Sequence, residues 1–123
     1  MLSIVQPAYQ KQYPVLEAIN DSIQGAATTS HSVALPASIA ANDFLIINFA
    51  FRSNTATVTT PSGWTILTSG VHSGGPCGVV GFYRVADGTE GATLTITTSA
   101  SVLSAHVSAR YSGVEPTAPV LGY

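Results

Sequence analysis

Charge is what this sequence has least of: among 123 residues there are one lysine, three arginines and six carboxylates, for a net charge of -2. Four cations are too few to neutralise a run of phosphates or to hold an anionic bilayer surface, so neither nucleic acid nor membrane is expected as a partner. The single cysteine, Cys77, can form no internal disulfide. No window approaches the roughly 18 consecutive apolar residues that a spanning helix requires. Met1 to Pro7 lack a basic cluster followed by a long apolar stretch, so no secretory signal is read there and synthesis in a cytoplasm is expected.

What the chain does have is apolar residues, 46% of the total, together with 14 serines and 14 threonines. The length suits one domain with one core, which at this size buries roughly two-thirds of the surface its unfolded chain exposes. A soluble monomer usually keeps about a quarter or more of its surface charged, and this chain cannot. Two readings stay open at this point: a neutral, Thr-rich β surface, or a subunit whose outer faces meet other subunits.

The first thirty residues differ from the rest. Ser3 to Tyr13 scatters Pro7, Tyr9 and Tyr13 among glutamines, which suits an extended arm. Pro14 could open a short amphipathic helix with Val15 or Leu16, Ile19 and Ile23 on one face, Glu17 in its first turn and Gly25 as its stop. Residues 1–30 are therefore expected to form an arm with room for one short helix, packed on the domain or reaching a neighbour, and residues 31–123 the domain itself.

From His31 onward the signals are β. Phe44 to Phe51 is a near-continuous apolar run, expected as a central strand buried on both faces. Ala56 to Thr60 and Trp64 to Leu67 flank a Pro-Ser-Gly turn; a loop follows from Ser69 to Pro76, then a strand from Cys77 to Val85. The turn Asp87-Gly88-Thr89-Glu90-Gly91 leads into a strand from Ala92 to Thr98. In the last strand Leu103, Ala105, Val107, Ala109 and Tyr111 alternate with Ser104, His106, Ser108 and Arg110, one apolar face against one polar face. Short strands between Gly, Pro and Asn turns, with no helical period after residue 25, indicate an all-β fold, an antiparallel β-sandwich or barrel.

Catalytic and metal-binding chemistry is thin. His31, His72, His106 and Cys77 lie on different elements without the close pairing of zinc ligands, so no metal or cofactor is expected. Asp87 and Glu90 lack the alternating oxygens of a calcium loop and read as turn caps. No Gly-x-Ser-x-Gly elbow occurs, and the chain is not expected to be an enzyme. Trp64 reads as a plug at the end of the core or as a sugar-stacking platform. His106 and Arg110 face solvent or a partner; in the second case Arg110 is the natural anchor.

The run Pro61-x-Gly63-Trp64-Thr65-x-Leu67, then Phe82-Tyr83-Arg84-Val85-Ala86-Asp87-Gly88-Thr89-Glu90-Gly91, then Thr93-x-Thr95 and Tyr111-Ser112-Gly113-Val114, resembles a β-sandwich module of tailed-bacteriophage virion proteins, over roughly residues 31 to 115. The resemblance implies a jelly-roll-like sandwich and a structural role in a particle, as a capsid decoration (cement) protein or a piece of a tail fibre. It transfers no active-site residue. The chain departs from the pattern after Val114, where such modules add further strands.

The resemblance further implies residence on a virion capsid surface, with the major capsid protein and copies of the chain as partners, a trimer suiting threefold lattice sites. An incomplete sandwich leaves strand edges for a neighbour to satisfy, so the candidate interface combines both chain ends with the last strand: Tyr9, Tyr13, Leu16, Ile19, His106, Arg110, Val120 and Tyr123. The alternative is a carbohydrate-binding module of a fibre, with Trp64, Tyr83 and Tyr111 as its aromatic candidates.

Overall fold

A computed structural model describes residues 13–120. Five antiparallel strands, β1 (Val15–Ala34), β2 (Phe44–Phe51), β3 (Thr65–His72), β4 (Cys77–Val85) and β5 (Thr93–Ser112), form one sheet in the order β1-β5-β2-β4-β3. The fold is all-β, and the described residues contain no helix. Every neighbouring pair is antiparallel.

β1 and β5 are 20 residues each and pair along their whole length, but the ribbon they make is not straight. The Asn20 amide donates to the Leu35 carbonyl at 3.0 Å, and the Ala34 N–H to Ser22 Oγ at 2.9 Å. Fifteen residues of extended chain would span about 50 Å, so β1 doubles back on itself. The fold falls where the register slips, between Gln24 and Thr28 and again between Thr28 and Ser30. Bulges of this kind leave residues unpaired and bend a ribbon sharply.

The bend is what closes the core. Leu45, Ile47, Phe49 and Phe51 of β2 and Val80 and Phe82 of β4 present one face of the sheet, and Val33, Leu35, Ile96 and Val102 of the folded ribbon pack on it with Ala56, Trp64 and Ala86. Phe49, Phe82, Ile47, Val33 and Ile96 have no solvent exposure. Each contributes about 1.5–3 kcal/mol relative to remaining exposed.

Two strands come out as the local pattern indicates, Phe44–Phe51 and Cys77–Val85. β2 is buried on its inner face and half-buried on the other, where Asn48 is exposed, rather than buried on both. Ala56 to Thr60 contributes one isolated bridge, Val58 to Thr98. β3 extends through Ser69–His72, which the Gly-rich composition marked as loop.

The helix expected from Pro14 to Gly25 is instead the first half of β1. Ile19 and Ile23 fit a helical stripe at i, i+4 and equally the alternation of a strand, and a helix this short is marginal unless packing supports it. β5 supplies a full hydrogen-bonding partner, which settles the choice for the strand. β1 also runs unbroken across residue 30, the boundary expected between arm and domain.

Candidate functional site

The side of the sheet opposite the core carries the candidate site. The strand registers align it in rows: Ile19, Ala109, Ile46, Tyr83 and Thr65; Asp21, Val107, Asn48, Gly81 and Thr68; Ile23, Ala105, Ala50, Val79 and Gly70. Leu16, Tyr111, Phe44 and Val85 form a shorter row at one end. Asp21 is the one charged side chain in these rows. Ile23 is 74% exposed, Ile19 61%, and Leu16, Val107 and Val79 are each near half. Apolar side chains thus dominate two of the three rows and Val107 joins them in the third, beside Asp21 and Asn48, a sparsely charged patch of the kind that marks an interaction face.

Two shallow clefts mark its ends. One, of about 430 Å³, is lined mostly by apolar groups including Ile23, Ala50, Phe51, Pro76, Cys77 and Leu103. The other, of about 220 Å³, lies among Pro14, Phe44, Ile46, Tyr111, Val114 and Pro119. Cys77 is exposed beside the first cleft. The edge strand β3 is exposed at every position and carries no lysine, arginine, acid or proline, the usual devices that keep a sheet edge from pairing with another chain.

The predicted interface residues divide. Leu16 and Ile19 lie on the outer face, Tyr13 is exposed beside the start of β1, and Val120 is partly exposed near the far end of the chain. Tyr9 and Tyr123 lie outside the described residues. His106 is buried and Arg110 half-buried, both on the inner side of β5. β5 turns its polar alternation inward: His106 is 2% exposed, Ser108 and Ser104 are buried, and Arg110 is drawn in to donate to the Ala37 carbonyl and to pair with Asp43 at 3.2 Å. The apolar alternation of β5 is the one that faces out, the reverse of the ordinary half-buried strand.

That inversion is stable because the buried polar groups satisfy one another across the doubled ribbon. The Ala34 N–H donates to Ser22 Oγ, Ser22 meets His106 Nδ1 at 2.8 Å, His106 Nε2 meets Ser104 Oγ at 2.7 Å, Ser104 meets His31 Nδ1 at 2.7 Å, and His31 Nε2 meets Thr98 Oγ1 at 3.0 Å. The Thr98 hydroxyl ends the chain on the Ala100 carbonyl at 2.7 Å. Beside it, the Ser108 hydroxyl donates to the Ala34 carbonyl at 2.7 Å. Phe49 stacks on His106 at 5.1 Å and meets His31 edge-on at 5.2 Å. Burial lowers the pKa of both histidines; for His106 the neighbouring His31 adds to the effect, and for His31 a hydrogen bond donated to the Thr28 backbone opposes it. Among the described residues no buried side-chain polar atom lacks a partner. Sequence reading missed this seam, because its members lie up to 84 positions apart.

The turn from Asp87 to Gly91 is a capped connector. Glu90, its side chain 3% exposed, accepts from Arg84 Nε at 2.7 Å and from the Asp87 and Gly88 N–H groups. Arg84 also pairs with Asp87 at 3.0 Å and donates to the Gly63 carbonyl. Hydrogen bonds from the Thr89 hydroxyl and N–H hold the Asp87 carboxyl below the usual carboxylate range. Gly63 has φ +80°, and a Cβ there would strike the Arg84 guanidinium.

Trp64 is buried in the core, which matches the plug and not the platform. Among the described residues no three acidic, histidine or cysteine side chains group as metal ligands, and no helix is long and apolar enough to cross a membrane. No family model, curated protein or solved structure matches this chain.

Proposed function

We propose that the chain is a non-enzymatic structural subunit of a tailed-bacteriophage virion, a decoration protein that binds the assembled capsid lattice and stabilises it. The observation that carries this reading is the sparsely charged outer face, where Ile19, Ile23, Val107 and Val79 stand exposed on β1, β5 and β4 and Asp21 is the one charged side chain in the aligned rows. A surface of that composition suits repeated burial against a protein lattice or against copies of the same chain. The order of motifs from Pro61 to Val114 supports the phage context. The doubled ribbon would serve as the second layer of a small jelly-roll-like sandwich, and the bare β3 edge as a site for strand addition by a neighbour.

The mechanism is mass action. A subunit that binds the assembled shell and not its dispersed components shifts the equilibrium toward the shell, and attachment through several copies multiplies a weak single contact. The major capsid protein is the principal partner, with self-association, a trimer suiting threefold lattice sites, as the second.

The test is co-sedimentation of the purified chain with decoration-free phage capsids, run beside a glycan-binding screen. Binding to shells that is abolished by Val107→Lys and Ile19→Lys is the expected result. Glycan binding without shell binding would replace this reading with a fibre module, for which Tyr83 and Tyr111 are the half-buried aromatics on the outer face. Shell binding unchanged in both variants would remove the outer face from the mechanism.

A further inference from the structure

The seam inside the folded ribbon has a property that its geometry dictates. A backbone carbonyl only accepts, so the Thr98 hydroxyl must spend its hydrogen on Ala100, and Thr98 Oγ1 must accept from His31 Nε2–H. Neutral His31 then accepts at Nδ1 from the Ser104 hydroxyl, and Ser104 Oγ accepts from His106 Nε2–H. Neutral His106 accepts at Nδ1 from Ser22, whose oxygen takes the Ala34 N–H. Every contact holds one hydrogen and every hydrogen has one acceptor. A proton added to either ring supplies one hydrogen more than the relay can accept: at His106 it takes the acceptor from the half-buried Ser22 hydroxyl, and at His31, whose contacts to Ser104 and Thr98 are buried, the Thr28 backbone is the one further partner.

The geometry points to an acid-sensitive latch: protonating His31 or His106 opens the seam and frees the distal half of the ribbon, Ser30–Ala34 with Thr93–Thr97, from the sheet. That half is held by this relay, by Asn20 on the Leu35 carbonyl and by Ser108 on the Ala34 carbonyl, with the Thr59 N–H on the Thr97 carbonyl tying it to the neighbouring loop, and it covers the core with Val33 and Ile96. Among the described residues no carboxylate stands ready to compensate the new charge. β2, whose Phe49 stacks on His106, contains no ionisable side chain between Phe44 and Phe51. β5 offers Arg110, a like charge already paired with Asp43. On β1, Asp21 lies in an outer-face row and Glu17 accepts from Ser112 at the far end. On β4, Arg84 is engaged by Asp87 and Glu90, and β3 ends in His72, which is exposed.

Burial lowers both histidine pKa values below that of the unfolded chain, so the folded state binds fewer protons. Stability is then fully present above about pH 6.5 and is lost as pH falls below that value toward the lowered native pKa. Where both rings are protonated only after opening, the opening constant rises about a hundredfold per pH unit, or tenfold for one ring. The inference concerns this chain alone and does not rest on the assembly reading.

Two measurements on the full chain test it. Ring nitrogen NMR at pH 7.5 should find His31 and His106 both neutral and both carrying the hydrogen on Nε2. Urea unfolding from pH 8 to 5 should show a falling midpoint, with Val33 and Ile96 amides losing protection before those of Ile47 and Phe82. His106→Gln should reduce the pH dependence to that of one ring. Should that variant fail to fold, the wild-type titration still decides. Either ring charging near pH 6.5 in a chain that stays folded, a hydrogen found on Nδ1, or a midpoint constant down to pH 5 would overturn the latch.

Discussion

The Asn20 side chain, in the first half of β1, reaches the carbonyl of Leu35, the residue just past the end of that strand, at 3.0 Å. This one contact records that β1 is folded over, and the fold brings the distal halves of β1 and β5 onto the core. Replacing Asn20 by Ala removes the donor and leaves the carbonyl without its side-chain partner. The expected loss is about 1–3 kcal/mol in chemical denaturation. A change of a few tenths would mean that the ribbon stays folded without this staple.

Phe49 sits where the two histidines, Phe51 and the ribbon converge, and it has no solvent exposure. Phe49→Ala should cost about 3–5 kcal/mol, because a buried aromatic is lost and the surrounding strands collapse only partly into the void. Phe49→Leu should keep most of the stability. Equal loss in both variants would assign the effect to ring stacking on the histidines and not to packing.

Glu90 and Asp87 both meet Arg84, but Glu90 is enclosed and Asp87 is more than half exposed. Glu90→Ala leaves the Arg84 guanidinium and two backbone N–H groups short of acceptors, with an expected cost of about 3 kcal/mol. Asp87→Ala should cost much less, since water replaces an exposed partner. Thermal unfolding of the two variants side by side reads the difference, and a reversed order would show that the Arg84–Asp87 pair dominates the turn.

Val107 is nearly half exposed at the middle of the outer face. Val107→Lys should leave folding stability within about 0.5 kcal/mol, as surface substitutions generally do. Its effect should appear in association: sedimentation velocity at rising concentration should show a smaller mass than for the wild-type chain if the face joins copies of it. A loss of several kcal/mol in folding would instead reveal that the valine is part of the core.

β2, β4 and the charged turn were legible in the sequence because their signals are local. An apolar run bounded by Asn42-Asp43 has few alternatives to a central strand, and Asp-Gly next to an acid-rich segment closes a turn through its own side chains. The first half of β1 was not legible, since Ile19 and Ile23 satisfy two periods at once and the deciding partner, Ala105 to Ala109, lies more than eighty positions away. The candidate outer face was visible only in part: Leu16 and Ile19 were named, while Ile23, Val79 and Val107 gained their meaning from the strand order.

By itself the sequence determined that the chain is β from His31 onward, that it carries little charge, and that the second half of β5 has one apolar and one polar face. Which of those faces points inward was decided by the tertiary structure alone. A serine and histidine face is costly to bury against hydrocarbon. It becomes the inner face here because the ribbon bends back and lays Ser22, His31, Ala34 and Thr98 against it, so that each buried donor finds an acceptor. The apolar alternation was thereby left outside, where it forms the surface on which the proposed function rests.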